Sequence, residues 1–142
     1  PQSNAAMAYE LRESPPPVDR FLELRAAAGM AERSREAVEQ GLPNSRYAVT
    51  VVDATGEAVG MARIVGDGGS VFHVSDMAVH PDHQRQGLGS RMMDALMGWI
   101  DEHAPPTAYV NLMADVDGFY EQWGFERTAP ASNGMYYRVP GG

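Results

Sequence analysis

Residues 74–90 read Val-Ser-Asp-Met-Ala-Val-His-Pro-Asp-His-Gln-Arg-Gln-Gly-Leu-Gly-Ser, and this segment indicates both the architecture and a ligand. Its apolar beginning predicts a strand that ends near Val79, and its two glycines precede a long amphipathic helix. The first amides of a helix have no partner within the helix, and the helix dipole is positive at that end. The segment therefore predicts a strand, a glycine loop and a helix N-terminus that together bind a phosphate-bearing anion.

Two common nucleotide-binding motifs do not fit this loop. It lacks the Gly-Lys-Ser/Thr ending of a P-loop, and no Gly-x-Gly-x-x-Gly follows a strand, so ATP and dinucleotide sites are disfavoured. The loop instead resembles motif A of the GCN5-related N-acetyltransferases (GNAT), Q/R-x-x-G-x-G/A, with Gln84, Gly87 and Gly89 in register. Residues 119–125, Phe-Tyr-Glu-Gln-Trp-Gly-Phe, are similar to the F-Y-E-K-x-G-F signature of the same superfamily.

The resemblance implies a mixed α/β (α+β) chain with the GNAT fold. We expect a mostly antiparallel mixed sheet of about six to seven strands, flanked by about four helices, with a splayed central strand pair. One domain is expected over residues 7–142, because 142 residues with 44% hydrophobic content can bury one core. Residues 1–6 are expected to be a loose N-terminus or an expression remnant before Met7.

The periodicity of the chain predicts the individual elements. Strands are expected over residues 9–12, 47–52, 58–65 and from about residue 71, and two helices between residues 18 and 43. Leu88, Met92, Leu96 and Ile100 recur every four residues and predict the helix after the loop. Further predictions are a strand over 107–113, a short helix over 116–123, and a closing hairpin of 125–128 with 136–139.

Composition excludes several classes of function. The chain has no cysteine, which removes disulfides and thiolate chemistry and fits a reducing compartment. A net charge of −8 argues against nucleic acid, mildly favours cationic substrates, and equally fits a solubilising surface. No apolar run is long enough to span a bilayer, so we expect a cytoplasmic protein without a membrane partner. His80 and His83 lack a third ligand at helical spacing, so no metal is expected.

The resemblance implies acetyl-CoA as co-substrate. Its pantetheine arm would pair with the main chain of Met77, Ala78 and Val79, and Phe119 and Tyr120 would lie beside it. An asparagine that many members carry seven residues before the tyrosine is Met113 here, so Asn111 is the expected substitute. The loop residues expected at the pyrophosphate are Gln84, Arg85, Gln86, Gly87, Leu88, Gly89 and Ser90.

The resemblance also implies catalytic roles. Tyr120 would protonate the departing thiolate, or else serve as an aromatic anchor. His73 would remove the proton of the amine, and the equally weighted alternative is an edge histidine bonded to a neighbouring strand. Asp76 is the second candidate base and could instead pair with Arg63. His73 shares a face with Met77 only if the strand has no bulge.

These expectations combine into direct transfer of an acetyl group from acetyl-CoA to a primary amine of a small molecule. Without cysteine, an acetyl-enzyme intermediate is disfavoured. Two alternatives stay open: a non-catalytic acetyl-CoA-binding sensor or interaction module, and an N-acetyltransferase that acts on proteins or peptides. A homodimer is compatible with the resemblance.

Overall fold

The computed structural model describes residues 8–141, and the predicted loose segment 1–6 lies outside them. Its five-stranded sheet has the strand order β1-β2-β3-β4-β5. The first four strands pair antiparallel, and β4 and β5 pair parallel, which makes the sheet mixed. The strands are β1 (Glu10–Arg12), β2 (Tyr47–Val52), β3 (Ala58–Gly66), β4 (Val71–Val79) and β5 (Tyr109–Asn111).

Three α-helices cover the two faces of the sheet. They are α1 (Val18–Ala27), α2 (Arg35–Gly41) and α3 (Leu88–His103), and 3-10 turns span Leu42–Asn44, Pro81–His83 and Tyr120–Trp123. Ser34 caps α2 by accepting a hydrogen bond from the Ala37 amide. The Pro105-Pro106 pair follows the end of α3 and prevents its continuation.

The core has two layers, one on each side of the sheet. The helix α3 packs on one face through Leu88, Met92, Leu96 and Ile100, as the four-residue spacing predicts. The helices α1 and α2 cover the opposite face with a smaller cluster. That cluster contains Phe21, Leu24, Val38, Leu42, Val52, Ala58, Met61 and Ala78.

The predicted splay of the central strands is confirmed. Parallel pairing joins β4 and β5 over three residue pairs and ends at His73 and Asn111. The strand β4 continues to Val79, so within the described chain its last six residues have no strand partner on the β5 side. The main-chain groups of this stretch are therefore free to pair with another extended molecule.

The predicted numbers of strands and helices are slightly too high. The strand expected over 107–113 covers Tyr109–Asn111 only, and the helix expected over 116–123 is the turn Tyr120–Trp123. Positive φ angles at Thr107 and Gly118 interrupt both elements. The expected hairpin of 125–128 with 136–139 has no regular structure, because the three residues of β5 give it little edge to pair with.

Within residues 8–141, no helix combines the length and the apolar character that crossing a bilayer requires.

Candidate active site

The loop after β4 and the first turn of α3 form a backbone cradle. Arg85 and Gly87 both adopt positive φ angles, 65° and 77°. Gly87 is the N-cap of α3 and makes no side-chain cap hydrogen bond, so no side chain there competes for the first helical amides. Together with the positive end of the dipole of a 16-residue helix, this geometry suits an anion.

A cavity of about 210 Å³ opens at this cradle. It joins the end of β4 to the start of α3, and Phe119 forms the wall on the other side. Five other residues that were predicted to bind the cofactor do not line it: Met77, Ala78, Gln86, Asn111 and Tyr120. The lining residues are Val79, His83, Gln84, Arg85, Gly87, Leu88, Gly89, Ser90 and Phe119, eight of which belong to the predicted cofactor set.

Three hydrogen bonds fix the loop in place. The His80 amide donates to the Val59 carbonyl, which extends the pairing of β4 with β3. The Gln84 side chain donates to the Val79 carbonyl at 3.2 Å, so the first residue of the glycine motif closes the loop onto the strand. Tyr9, just before β1, hydrogen-bonds through its hydroxyl to Nδ1 of His83 at 2.9 Å. The cradle is therefore held from both edges.

A β-bulge interrupts β4 at Asp76. The register with β3 shifts by one residue between the Met61–Ala78 and Arg63–Ser75 pairs, and Asp76 has a φ of 59°. Before the bulge Phe72 and Val74 pack toward α3, whereas after it Met77 and Val79 do. The side chains of His73 and Ser75 therefore lie on the face of α1 and α2. Because the strand is bulged, His73 and Met77 lie on opposite faces of the sheet.

Asp76 is buried and bridges two arginines. It pairs with Arg63 on β3 at 2.7 Å, the alternative that the sequence left open, and with Arg25 on α1. Arg25 also donates to the Ala31 carbonyl, while its Nε is buried without a hydrogen-bond partner among the described residues. Sequence reasoning did not identify Arg25. One signal was present, because Arg25 follows Phe21 by four residues and thus lies on the apolar face of α1.

His73 and Asn111 lie opposite each other at the last pair before β4 and β5 diverge. Nδ1 of His73 is 2.5 Å from Oδ1 of Asn111, and both side chains are partly buried. An amide oxygen can only accept, so the ring nitrogen donates in this contact. The predicted edge histidine bonded to a neighbouring strand is therefore observed, and its other ring nitrogen is left for further chemistry.

Tyr120 lies half-buried at the start of the last 3-10 turn, between the rings of Phe119 and Phe125. Burial, together with the negative charge of Asp115, raises the pKa of Tyr120 above that of a free phenol. The phenol consequently keeps its proton at neutral pH. The turn is tied to α3 by Trp123, whose indole N–H donates to a side chain of that helix at 2.8 Å.

Arg33, in the segment between α1 and α2, lies near other arginines. Burial and the positive charges of Arg25 and Arg138 lower the pKa of Arg33, and Arg63 contributes in the same direction.

No group of three histidine, aspartate or glutamate side chains in the 8–141 region is arranged to hold a metal ion.

Comparison with known proteins identifies the family. A family model described as an acetyltransferase (GNAT) domain matches residues 22–135. This chain resembles SA2161, a protein of unknown function from meticillin-resistant Staphylococcus aureus, whose crystal structure is known. The two sequences are 38% identical, and the structures superpose with a TM-score of 0.87 over 92% of this chain and 99% of SA2161. The chain therefore belongs to the GNAT acetyltransferase family.

Two curated relatives are more distant in sequence. The uncharacterized N-acetyltransferase ycf52 of Pyropia yezoensis is 28% identical over 114 residues, which cover 78% of this chain and 66% of the algal protein. The chain thus spans just under two thirds of that relative's length. The chloroplastic serotonin N-acetyltransferase 2 of rice is 30% identical over 142 residues, covering 94% of this chain and 70% of the rice protein.

Proposed function

We propose that this protein transfers an acetyl group from acetyl-CoA directly to a primary amine of a small molecule. The observation that carries the proposal is the cavity that joins the N-terminus of α3 to the end of β4, which lacks a strand partner on its β5 side among the described residues. Anionic phosphates bind to unpaired helical amides, and an extended amide-containing arm pairs with a free strand edge. Coenzyme A has both parts, so one ligand would satisfy both features.

His73 is the proposed acceptor of the amine proton. An amine with the pKa of lysine, about 10.4, is neutral in only roughly one molecule in two thousand at pH 7, so proton removal is a large part of the barrier. Asp76 is a poor base in comparison, because two arginines engage its carboxylate. Oδ1 of Asn111 engages one nitrogen of His73, which leaves the other for the proton.

Tyr120 is the proposed general acid. The neutral amine attacks the thioester carbon, the C–N bond forms, the C–S bond breaks, and the phenol gives its proton to the departing sulfur. The raised pKa of Tyr120 keeps that proton in place until the thiolate develops. The nitrogen of the adduct loses its second proton to solvent as the C–S bond breaks. Solvent then returns one proton to the phenolate and takes one from the His73 imidazolium, so each turnover of a protonated amine releases one proton.

The assignment of a small-molecule acceptor rests on similarity. The rice relative is named for serotonin, a small amine, and a related acceptor is proposed here. There are two competing outcomes: acetylation of a protein or peptide amine, and binding of acetyl-CoA without catalysis. Activity measured over a panel of small amines and peptides distinguishes them.

The binding step is tested with a matched pair of glycine variants. Gly89 lines the cavity, and a side chain there would contact Phe119, so Gly89→Glu is expected to abolish acetyl-CoA binding. Gly98→Glu makes the same charge change on the same helix, at an exposed position with open space around it. Calorimetry should show loss of binding in the first variant only. Equal affinities in two folded variants would refute the site.

The chemical step is tested with Tyr120→Phe, which removes one hydroxyl and keeps the ring. We expect kcat to fall by roughly 10²-fold or more, the usual contribution of a positioned acid, with an unchanged Kd for acetyl-CoA. Thiol release measured over the amine and peptide panel gives both values. Unchanged turnover would make Tyr120 an aromatic anchor, and a wild-type protein that acetylates nothing would be a binding module.

A further inference from the structure

We infer that Asn111 is a positioning residue, which holds the His73 ring in the one tautomer that can take a proton from the acceptor amine. This inference rests on the proposed role of His73. It assigns to Asn111 a function in proton transfer that differs from the cofactor contact expected from its sequence position.

The geometry determines which nitrogen carries the proton. Oδ1 of Asn111 has only lone pairs, so at 2.5 Å it must face an N–H, and the proton of neutral His73 is on Nδ1. Nε2 then has the free lone pair. With the opposite tautomer, two lone pairs would face each other across this contact, and Nε2 would already be protonated. The tautomer that this contact favours therefore leaves Nε2 as the base.

The position of the pair explains why an amide is suited to this role. His73 and Asn111 are the last paired residues before β4 and β5 diverge, so the backbone fixes the distance between them. Neutral Asn111 accepts from Nδ1 both before and after Nε2 is protonated, because the Nδ1 proton never moves. The amine loses its proton to Nε2 and keeps the electron pair that forms the C–N bond.

Among the described residues, the His73 ring makes one side-chain hydrogen bond, the one to Asn111. Its neighbour on β3 is Val65, an apolar residue. Asp76 on the same strand has its carboxylate engaged by the two arginines. The titratable groups on the strands and the helix next to this part of β4 include Tyr109 on β5, Arg63 on β3 and Arg25 on α1, besides Asp76 on β4 itself.

The first measurement reads the tautomer directly and does not depend on turnover. Nitrogen-15 NMR of the full chain near pH 8 should show His73 with a protonated Nδ1 and an unprotonated Nε2, assigned by comparison with His73→Ala. Asn111→Ala should lose this fixed state, and Tyr109→Ser, which shortens an exposed side chain on the same strand, should keep it. A protonated Nε2 in the wild type would overturn the inference.

The second measurement is kinetic. Asn111→Ala should lower kcat/KM on the order of tenfold, less than the ~10⁴-fold that an enforced wrong tautomer costs in a catalytic triad. In a His73→Ala background the same substitution should have no further effect, because Asn111 acts through His73. Fully additive losses would show an independent structural role and would overturn the inference.

Asn111→Asp covers the case in which the alanine variant does not fold, because it keeps the size and shape of the side chain. Its carboxylate stabilises the imidazolium, so the acidic limb of the pH profile should move to higher pH. An unmoved limb would contradict the inference. Wild-type activity and pH profile in His73→Ala would instead refute His73 as the base, and the tautomer measurement distinguishes that failure from one confined to Asn111.

Discussion

Replacing Asp76 by asparagine tests what the buried ion pairs contribute to folding. The substitution keeps the side-chain shape, and asparagine tolerates the φ of 59° nearly as well as aspartate, so the backbone at the bulge is preserved. What changes is charge. Arg25 would remain buried opposite a neutral group, and Arg63 would lose its carboxylate as well.

The expected loss is large compared with the stability of the domain. Removing one partner of a buried pair costs about 3–5 kcal/mol, because the remaining charge stays desolvated. Domains of this size unfold with about 5–15 kcal/mol, so at the middle of that range about a third to a half of the free energy of unfolding would be lost. At about 3–4 °C per kcal/mol, Tm should fall by roughly 10–20 °C.

Urea unfolding followed by circular dichroism gives the free energy of unfolding. The control is Glu57→Gln, which breaks the exposed pair with Arg20 and should cost less than about 1 kcal/mol. Adding Arg25→Met to Asp76→Asn should restore part of the loss, since it removes the orphaned charge. An Asp76→Asn variant with the wild-type urea midpoint and slope would refute the argument.

Three further outcomes are expected. Asp115→Asn removes a negative charge near Tyr120, so the pKa of the phenol should fall and the alkaline limb of kcat should move to lower pH, whereas Asp117→Asn should leave it in place. Trp123→Phe removes the indole hydrogen bond to α3 and should lower kcat through looser placement of the turn, with Tm reduced by a few degrees. Leu96→Ala empties a fully buried site and should lower the free energy of unfolding by about 2–5 kcal/mol, measured by urea titration.

Local signals made the cradle and α3 predictable from the sequence. One short stretch contains a strand end, two glycines and an apolar residue at every fourth position. These signals predict the same strand-loop-helix arrangement. The hydroxyl-bearing ring of Tyr120 could be placed near this site because its motif resembles that of a known family. The splay of the central strands was predicted from that resemblance alone, and the structure shows the splay.

Features that join distant parts of the chain were less predictable. The bulge at Asp76 is a property of two paired strands, and one strand's alternation does not reveal it. Arg25 lies 51 residues from its carboxylate partner, and His73 lies 38 residues from Asn111. The prediction of a C-terminal hairpin was wrong for a related reason. An alternating pattern predicts strand propensity, but a strand also needs a long enough edge of another strand to pair with, and its own sequence does not reveal that edge.

The ion pair between Arg25 and Asp76 also determines which parts of the molecule can move independently. It joins α1 to the centre of β4, so α1 cannot separate from the sheet unless a buried charge pair breaks. By contrast, α2 buries a single residue, Val38, and residues 28–34 between the two helices are exposed or half-buried. Native-state hydrogen exchange should therefore show α1 and β4 opening as one unit, while α2 opens at lower free energy.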